Sequence, residues 1–428
     1  MAVTLEAESG NYLSDRKVKR LFDEVSDGIF REFRKLPAPQ GRELLDQVGR
    51  ALEQEISADE RFQNEFDLLR EELLRVATPD ELARLHKGMV GLVTGFFSRR
   101  ESVPALHALC TMLLDTTVSQ ALRLAEEELA DAGGGVTPRY AWLVLGAAGR
   151  REATISMELE SLLVHGPGPD AAWYCARLAA RGAAILEQCG FRKSRRGITP
   201  DDPAWRASLE EWEERFEELC RRSSGSSSPT ARSGLRDLFA QRTTTLSTPL
   251  FQLADLRVVS GDPELGGNLV LLVRAAARRH PACILEAARS VTALPSPFNF
   301  FGNYRVERSG AHRGRVDLNR WGCFPLVSMV RLQAVIGGVV ETGTLERIQL
   351  LLGKGTLDVA LGKRLLQGGI EIFRLKARLE AREDTGEEDG AWLLPESLPS
   401  DDERALREAL DSFSTLQKVI HSSLAQQG

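Results

Sequence analysis

The chain has 428 residues, of which 43% are hydrophobic and 27% charged, the balance of an ordinary soluble globular protein with room for about three domains. A net charge of -6 and a pI near 5.8 give no general attraction for nucleic acid or anionic lipid, so a nucleic-acid partner is disfavoured. There is no leader-like basic segment before an apolar one, no apolar run of bilayer length, and no Cys-x-x-Cys spacing among six scattered cysteines; the expectation is a cytoplasmic protein with reduced thiols and no membrane partner.

The pattern from 14 to 130 is helical throughout. Ser14 caps a stripe formed by Val18, Leu21, Phe22, Val25, Ile29 and Phe33, at three- and four-residue spacing, and Leu36-Pro-Ala-Pro-Gln ends it. Further helices are expected over 42–56 and 59–76. Thr78-Pro79-Asp80-Glu81 combines an N-cap, a proline in the first turn and a Glu three residues on, which predicts a helix reaching 97. Another is expected over 105–129, stopped by Gly133-Gly-Gly. His107 in it has no partner at metal spacing and reads as a packed or surface ring.

The character changes at Tyr140. Trp142-Leu-Val-Leu is a continuous apolar run of the kind found in central strands, and Ser161-Leu-Leu-Val-His is a second, closed by Gly166-Pro-Gly-Pro. Helices follow over 170–188 and 205–221, the latter with Trp205, Leu209, Trp212 and Phe216 on one side. A low-complexity Ser/Gly stretch, about 222–232, is expected to be a mobile loop. A third strand is expected over 251–259, with Asp255 in apolar surroundings where a carboxylate is costly unless a cation or donor meets it. The remainder is expected to be helical over 264–279, 282–291, 326–336, 345–353, 359–382 and 402–424.

The chemistry concentrates between Tyr140 and His165. A strand, a glycine turn (Gly146-Ala-Ala-Gly-Arg150) and a return strand can cradle a phosphate on backbone N–H groups, with Arg150 and Arg151 adding charge. Glu158 and Glu160 stand two apart, so on a strand they share a face and can hold a divalent cation together. Asp255 can complete that cage or act as a base. The short basic cluster Arg192-Lys193-Ser194-Arg195-Arg196 can serve as a local anion site. The same residues equally describe a common turn, the wet face of a strand and a solvated ion-pair cluster.

Several motifs together resemble one family. Trp142-Leu-Val-Leu-Gly-Ala-Ala-Gly-Arg-Arg-Glu-Ala-Thr followed by Glu158-Leu-Glu-Ser-Leu-Leu-Val resembles the Gly-Ser-x-Gly-Arg-x-Glu…Asp-x-Asp signature of nucleotidyltransferases related to the PII-uridylyltransferases, within the polymerase-β-like superfamily. Pro203-Ala-Trp-Arg-Ala-Ser-Leu-Glu-Glu-Trp and Ala254-Asp-Leu-Arg-Val-Val-Ser-Gly-Asp are similar to that family's Trp helix and Asp-Leu-Arg strand. His312-Arg-Gly-Arg-Val-Asp-Leu-Asn-Arg-Trp-Gly and Thr342-Gly-Thr-Leu-Glu-Arg resemble its C-terminal substrate-binding domain. The resemblance covers about 78 to the C-terminus.

It implies an α+β, mostly helical fold, with a small mixed-sheet nucleotidyltransferase domain (133–265) between an N-terminal helical module (1–132) and a C-terminal helical bundle of substrate-binding type (266–428). Gly146, Ala147, Gly149 and Arg150 would hold a nucleoside triphosphate. Glu158, Glu160 and Asp255 would be the catalytic carboxylates and the ligands of Mg2+ or Mn2+, for transfer of a nucleoside monophosphate to a small acceptor or a regulatory protein. The departures from the pattern fall in that site. Ala147 replaces the serine of the turn, and glutamates replace both paired aspartates, placing their oxygens one methylene farther out where magnesium tolerates little misplacement. The resemblance therefore implies either a weak or altered metal-dependent transferase, or a catalytically inactive regulatory and signalling protein that binds a partner or nucleotide.

Overall fold

The computed structural model describes residues 38–133, 136–156, 158–225, 252–382 and 391–425. The Ser14-capped helix and most of the 222–232 stretch lie outside them. Helix α1 (Ala38–Leu73) runs without interruption through the break expected between 56 and 59, because Ser57-Ala58 contains neither Gly nor Pro to end a helical run. Asp59 on α1 pairs with Arg99 at 2.7 Å and with Arg100, which ties α1 to α2 (Pro79–Arg100). Thr78 caps α2 by accepting the Glu81 amide at 3.3 Å, while the Glu81 carboxylate accepts the Ala77 amide at 2.9 Å. Helix α3 (Val103–Asp131) completes the helical start and packs on both the sheet and the later helices.

Strand β1 (Tyr140–Leu145) is buried along its whole length, as its continuous apolar run requires. Its alternate side chains enter two cores. Tyr140, Trp142 and Val144 join the core under α3 and α4 (Pro169–Gln188), whereas Ala141, Leu143 and Leu145 join Trp205, Trp212 and Phe216 on the other face. Strand β2 (Glu158–His165) lies antiparallel to β1, with Leu145 opposite Glu160. Two short strands, β3 (Arg192–Lys193) and β4 (Arg206–Ser208), pair parallel to β2, and β5 (Arg257–Gly261) lies antiparallel to β1 on its other side. The sheet is thus small and mixed.

Two expectations need correction here. Arg206–Ser208 is a strand, and helix α5 (Leu209–Gly225) begins only after it, capped by Ser208. Trp212 on α5 donates its indole N–H to the Leu163 carbonyl at 3.1 Å, fixing the helix on β2. Gln252–Asp255 is a 3-10 turn, so Asp255 stands just before β5 instead of on it.

Helices α6 (Pro263–Arg279) and α7 (Pro281–Thr292) lead into the C-terminal part. Strand β6 (Val316–Asp317) pairs with β7 (Trp392–Leu393), and α8 (Phe324–Ile336), α9 (Thr344–Gly353), α10 (Val359–Arg382) and α11 (Ser400–Ala425) surround a third core containing Leu326, Met329, Leu365, Ile372, Leu406 and Phe413. The architecture is α+β and mostly helical. No helix among the described residues is long and apolar enough to cross a membrane.

Candidate functional site

The turn after β1 is a single helical turn, Gly146–Gly149, and each of its glycines is demanded by a neighbour. Gly146 has φ +64°, and a Cβ there would lie 2.5 Å from Glu160 Oε2. A Cβ on Gly149 would lie 2.2 Å from the Asp255 carbonyl oxygen and 3.0 Å from that of Val144. The Gly-x-x-Gly spacing therefore lets β2 approach the turn on one side and the Asp255 segment on the other. The predicted site residues are brought together around this turn, but every carboxylate among them is already engaged.

Glu158 and Glu160 share the face of β2 that carries Leu162 and Val164, as two-residue spacing requires. Both meet the basic loop after β3. Arg196 grips Glu160 with two parallel bonds, Nε to Oε1 at 2.7 Å and Nη2 to Oε2 at 2.5 Å, and Ser194 Oγ reaches Oε1 at 3.5 Å. The Arg195 amide donates to Glu158 Oε1 at 2.8 Å, and the Arg195 guanidinium lies 3.5 Å from Oε2. Within the basic run, Arg195 and Arg196 are thus met by the chain's own paired carboxylates, while Lys193 pairs with Glu187 at 3.0 Å and Arg192 with Ser156.

Asp255 has no exposed surface and is enclosed by three guanidinium groups. Arg150 Nη1 donates to Oδ2 at 2.9 Å, Arg347 Nη1 donates to Oδ1 at 2.7 Å, and Arg331 donates through Nε and Nη2, the latter at 2.5 Å. Burial alone would push this carboxyl up, but Arg331, Arg150 and Arg347 override it and hold the group well below the usual carboxylate range. The three arginines come from different parts of the fold: Arg150 ends the glycine turn, Arg331 lies on α8 and Arg347 on α9. A buried neighbour extends the cluster. Glu152 accepts Arg150 Nε at 2.7 Å and the Thr344 amide at 2.5 Å. Arg257, at the start of β5, makes a two-pronged pair with Asp115 on α3 at 2.7 and 2.8 Å and also reaches the Ala148 carbonyl.

These contacts decide whether the residues fit a divalent cation. Magnesium needs several oxygen ligands in near-octahedral array at about 2.0–2.1 Å. Both Asp255 oxygens already accept arginine donors, and a cation there would stand beside three positive groups. Each Glu160 oxygen likewise accepts one donor from Arg196. Among the described residues no group of three or more His, Cys, Asp or Glu side chains is arranged to hold a metal ion. The donor set does not fit Mg2+ or Mn2+. Arg150, expected at a nucleotide phosphate, is 11% exposed and committed to Asp255 and Glu152, and burial notwithstanding those two carboxylates keep it protonated.

Ala147 is exposed, and its carbonyl accepts the Glu152 amide at 2.9 Å, closing the turn back on itself. Arg196 stood in the basic run, read there as a site for an external anion; the residues that sequence reasoning gave no role are Arg331, Arg347 and Asp115. Two of them carried a signal: Arg331 is a lone charge inside the apolar run of α8, as Asp255 is inside its own, and Arg347 closes the Thr342-Gly-Thr-Leu-Glu-Arg motif.

Residues 88–226 match the family model described as Putative nucleotidyltransferase DUF294, and residues 281–424 match the model described as Putative nucleotidyltransferase substrate binding domain. No curated protein matches the chain.

Proposed function

Because this chain belongs to the nucleotidyltransferase family, with that family's C-terminal substrate-binding domain, we propose that it is a member that works by binding and no longer by metal-dependent transfer. The observation that carries this reading is the arginine cage around Asp255. A carboxylate that must hold a cation during phosphoryl chemistry needs open lone pairs. This one instead clamps the glycine turn and β5 to helices α8 and α9, which makes it a fastening between the sheet and the C-terminal helices. Glu152, bonded to the Thr344 amide, supports the same junction. The reading is that of a regulatory and signalling protein in which the two parts move and bind as one body.

The transferase reading would require Arg196 to leave Glu160 and three buried guanidinium groups to leave Asp255. The first is a modest demand, since the Arg196 side chain is 39% exposed; the second would strand buried positive charge. The test is pyrophosphate release from each of the four ribonucleoside triphosphates with Mg2+ or Mn2+, for the natural chain and for the triple substitution Ala147→Ser, Glu158→Asp, Glu160→Asp. Neither is expected to release pyrophosphate, because restoring the family residues leaves Asp255 caged. Metal-dependent release that disappears in Glu160→Ala would overturn the proposal.

A further inference from the structure

Beside the ionic junction lies a cavity of about 870 Å3, within the range of small-molecule sites. It is bounded by α6, α7, α8, the segment that follows α8, and the end of α11. Its walls are apolar: Val273, Ile284, Leu285, Val335, Ile336 and Leu424 face it. Leu285 and Ile336 remain 40% and 57% exposed, so the cavity opens to solvent past them. Three arginines, Arg274, Arg278 and Arg347, also line it.

These arginines differ in how they are satisfied. Arg347 is spent on Asp255, the Ala254 carbonyl and the Glu341 carbonyl. Arg274 makes one bond, to the Val340 carbonyl at 2.6 Å, and Arg278 has no hydrogen-bond or ion-pair partner among the described residues. Burial lowers the pKa of Arg274, the nearby charges of Arg347 and Arg278 lower it further, and Glu341 is the one carboxylate opposing them. The apolar lining thus includes two guanidinium groups, of Arg274 and Arg278, that have no carboxylate hydrogen-bonded or ion-paired to them among the described residues. An anion seated there would gain charge-assisted bonds from the half-buried Arg274 and the exposed Arg278, while an aliphatic body would cover the walls.

We propose that this cavity binds a small amphipathic anion, an aliphatic chain bearing a single carboxylate or phosphate head, with the head on Arg274 and Arg278 and the chain along α7 and α8. Nothing in this depends on whether the glycine-turn site is catalytic, because neither arginine belongs to that site. Arg347 joins the cavity to the Asp255 cage, so occupancy is expected to stabilise the junction as well.

The test is calorimetric titration of the full chain with decanoate, decyl phosphate, decanol and inorganic phosphate, each below its aggregation threshold. One saturable site is expected for decanoate or decyl phosphate, and which of the two binds more tightly identifies the head group. Decanol and inorganic phosphate are expected to bind at least tenfold more weakly. Arg274→Gln with Arg278→Gln should weaken the anion at least tenfold, and Ile336→Glu, a substitution at the exposed mouth, should weaken it without unfolding the chain. Thermal unfolding of each variant alone separates misfolding from lost binding. Equal affinity for decanol, no effect of the double arginine substitution, or saturable binding only of an acidic amphipathic peptide would overturn the proposal.

Discussion

Replacing Asp255 by Asn preserves the shape of the side chain and removes its charge. Arg347, Arg331 and Arg150 would then remain in place with side chains 2%, 7% and 11% exposed and without the anion that all three share. Removing one partner of a buried ion pair costs about 3–5 kcal/mol, chiefly because the surviving charge is left uncompensated. Against a total of about 5–15 kcal/mol for a folded domain this is a large share. The loss is expected in urea unfolding followed by far-UV circular dichroism and tryptophan fluorescence. Because the cage joins α8 and α9 to the sheet, the two signals should also separate, with sheet and C-terminal helices melting apart. Arg347→Met alone should be destabilising, and the double substitution should cost less than the two single effects together by at least about 1 kcal/mol. A cost for Asp255→Asn below about 1 kcal/mol, or strict additivity with Arg347→Met, would refute the fastening role. A metal-ligand role predicts the opposite pattern, with stability kept and metal-dependent nucleotide affinity lost.

Three further outcomes follow from the geometry. Burial holds His86 and His107 at about 4, against an ordinary 6.5, so between those values the unfolded chain binds protons that the folded chain does not. Stability should fall as pH drops through that window, by roughly 3 kcal/mol per ring, and urea midpoints at pH 7, 5.5 and 4 should show it, with a flatter profile in His86→Gln/His107→Gln. Gly149→Ala would drive a Cβ into two backbone carbonyls that cannot rotate away, and should cost at least about 1–3 kcal/mol in the same assay; a neutral result would mean that the turn is not packed as described. Arg196→Gln would leave the buried Glu160 carboxylate without its guanidinium partner and should cost about 1–3 kcal/mol, less than Asp255→Asn because Arg196 itself is 39% exposed, and should not create Mn2+ binding measurable by calorimetry, since Asp255 stays caged.

Much of the fold was legible along the chain because its signals are local. The Thr78-Pro-Asp-Glu start, the unbroken apolar run of β1 and the side of the Trp205 segment that carries Leu209, Trp212 and Phe216 each report on a few consecutive residues, and the observed elements follow them within a few positions. Where a local signal was weak, tertiary context decided. Arg206–Ser208 became a strand because β2 offered it an open edge, and the two helices expected over 42–56 and 59–76 are one, Ala38–Leu73, for want of a breaker between them. Burial of Asp255 without a partner was excluded by its apolar surroundings alone, and that argument held.

What the chain could not reveal is which partner Asp255 would find. A cation and an arginine satisfy a carboxylate equally in a one-dimensional reading, and the arginines that do so lie 76 and 92 residues away on α8 and α9, with Arg150 105 residues before it. The sequence alone determined family and fold class, since those rest on contiguous motifs; it read the glycine turn as a phosphate cradle, and the approach of β2 and the Asp255 segment to those glycines emerged only in the structure. Only the tertiary structure decided that the approaching carboxylates are neutralised by the chain's own guanidinium groups, because charge compensation in a buried site depends on which distant side chains the packing brings within 3 Å.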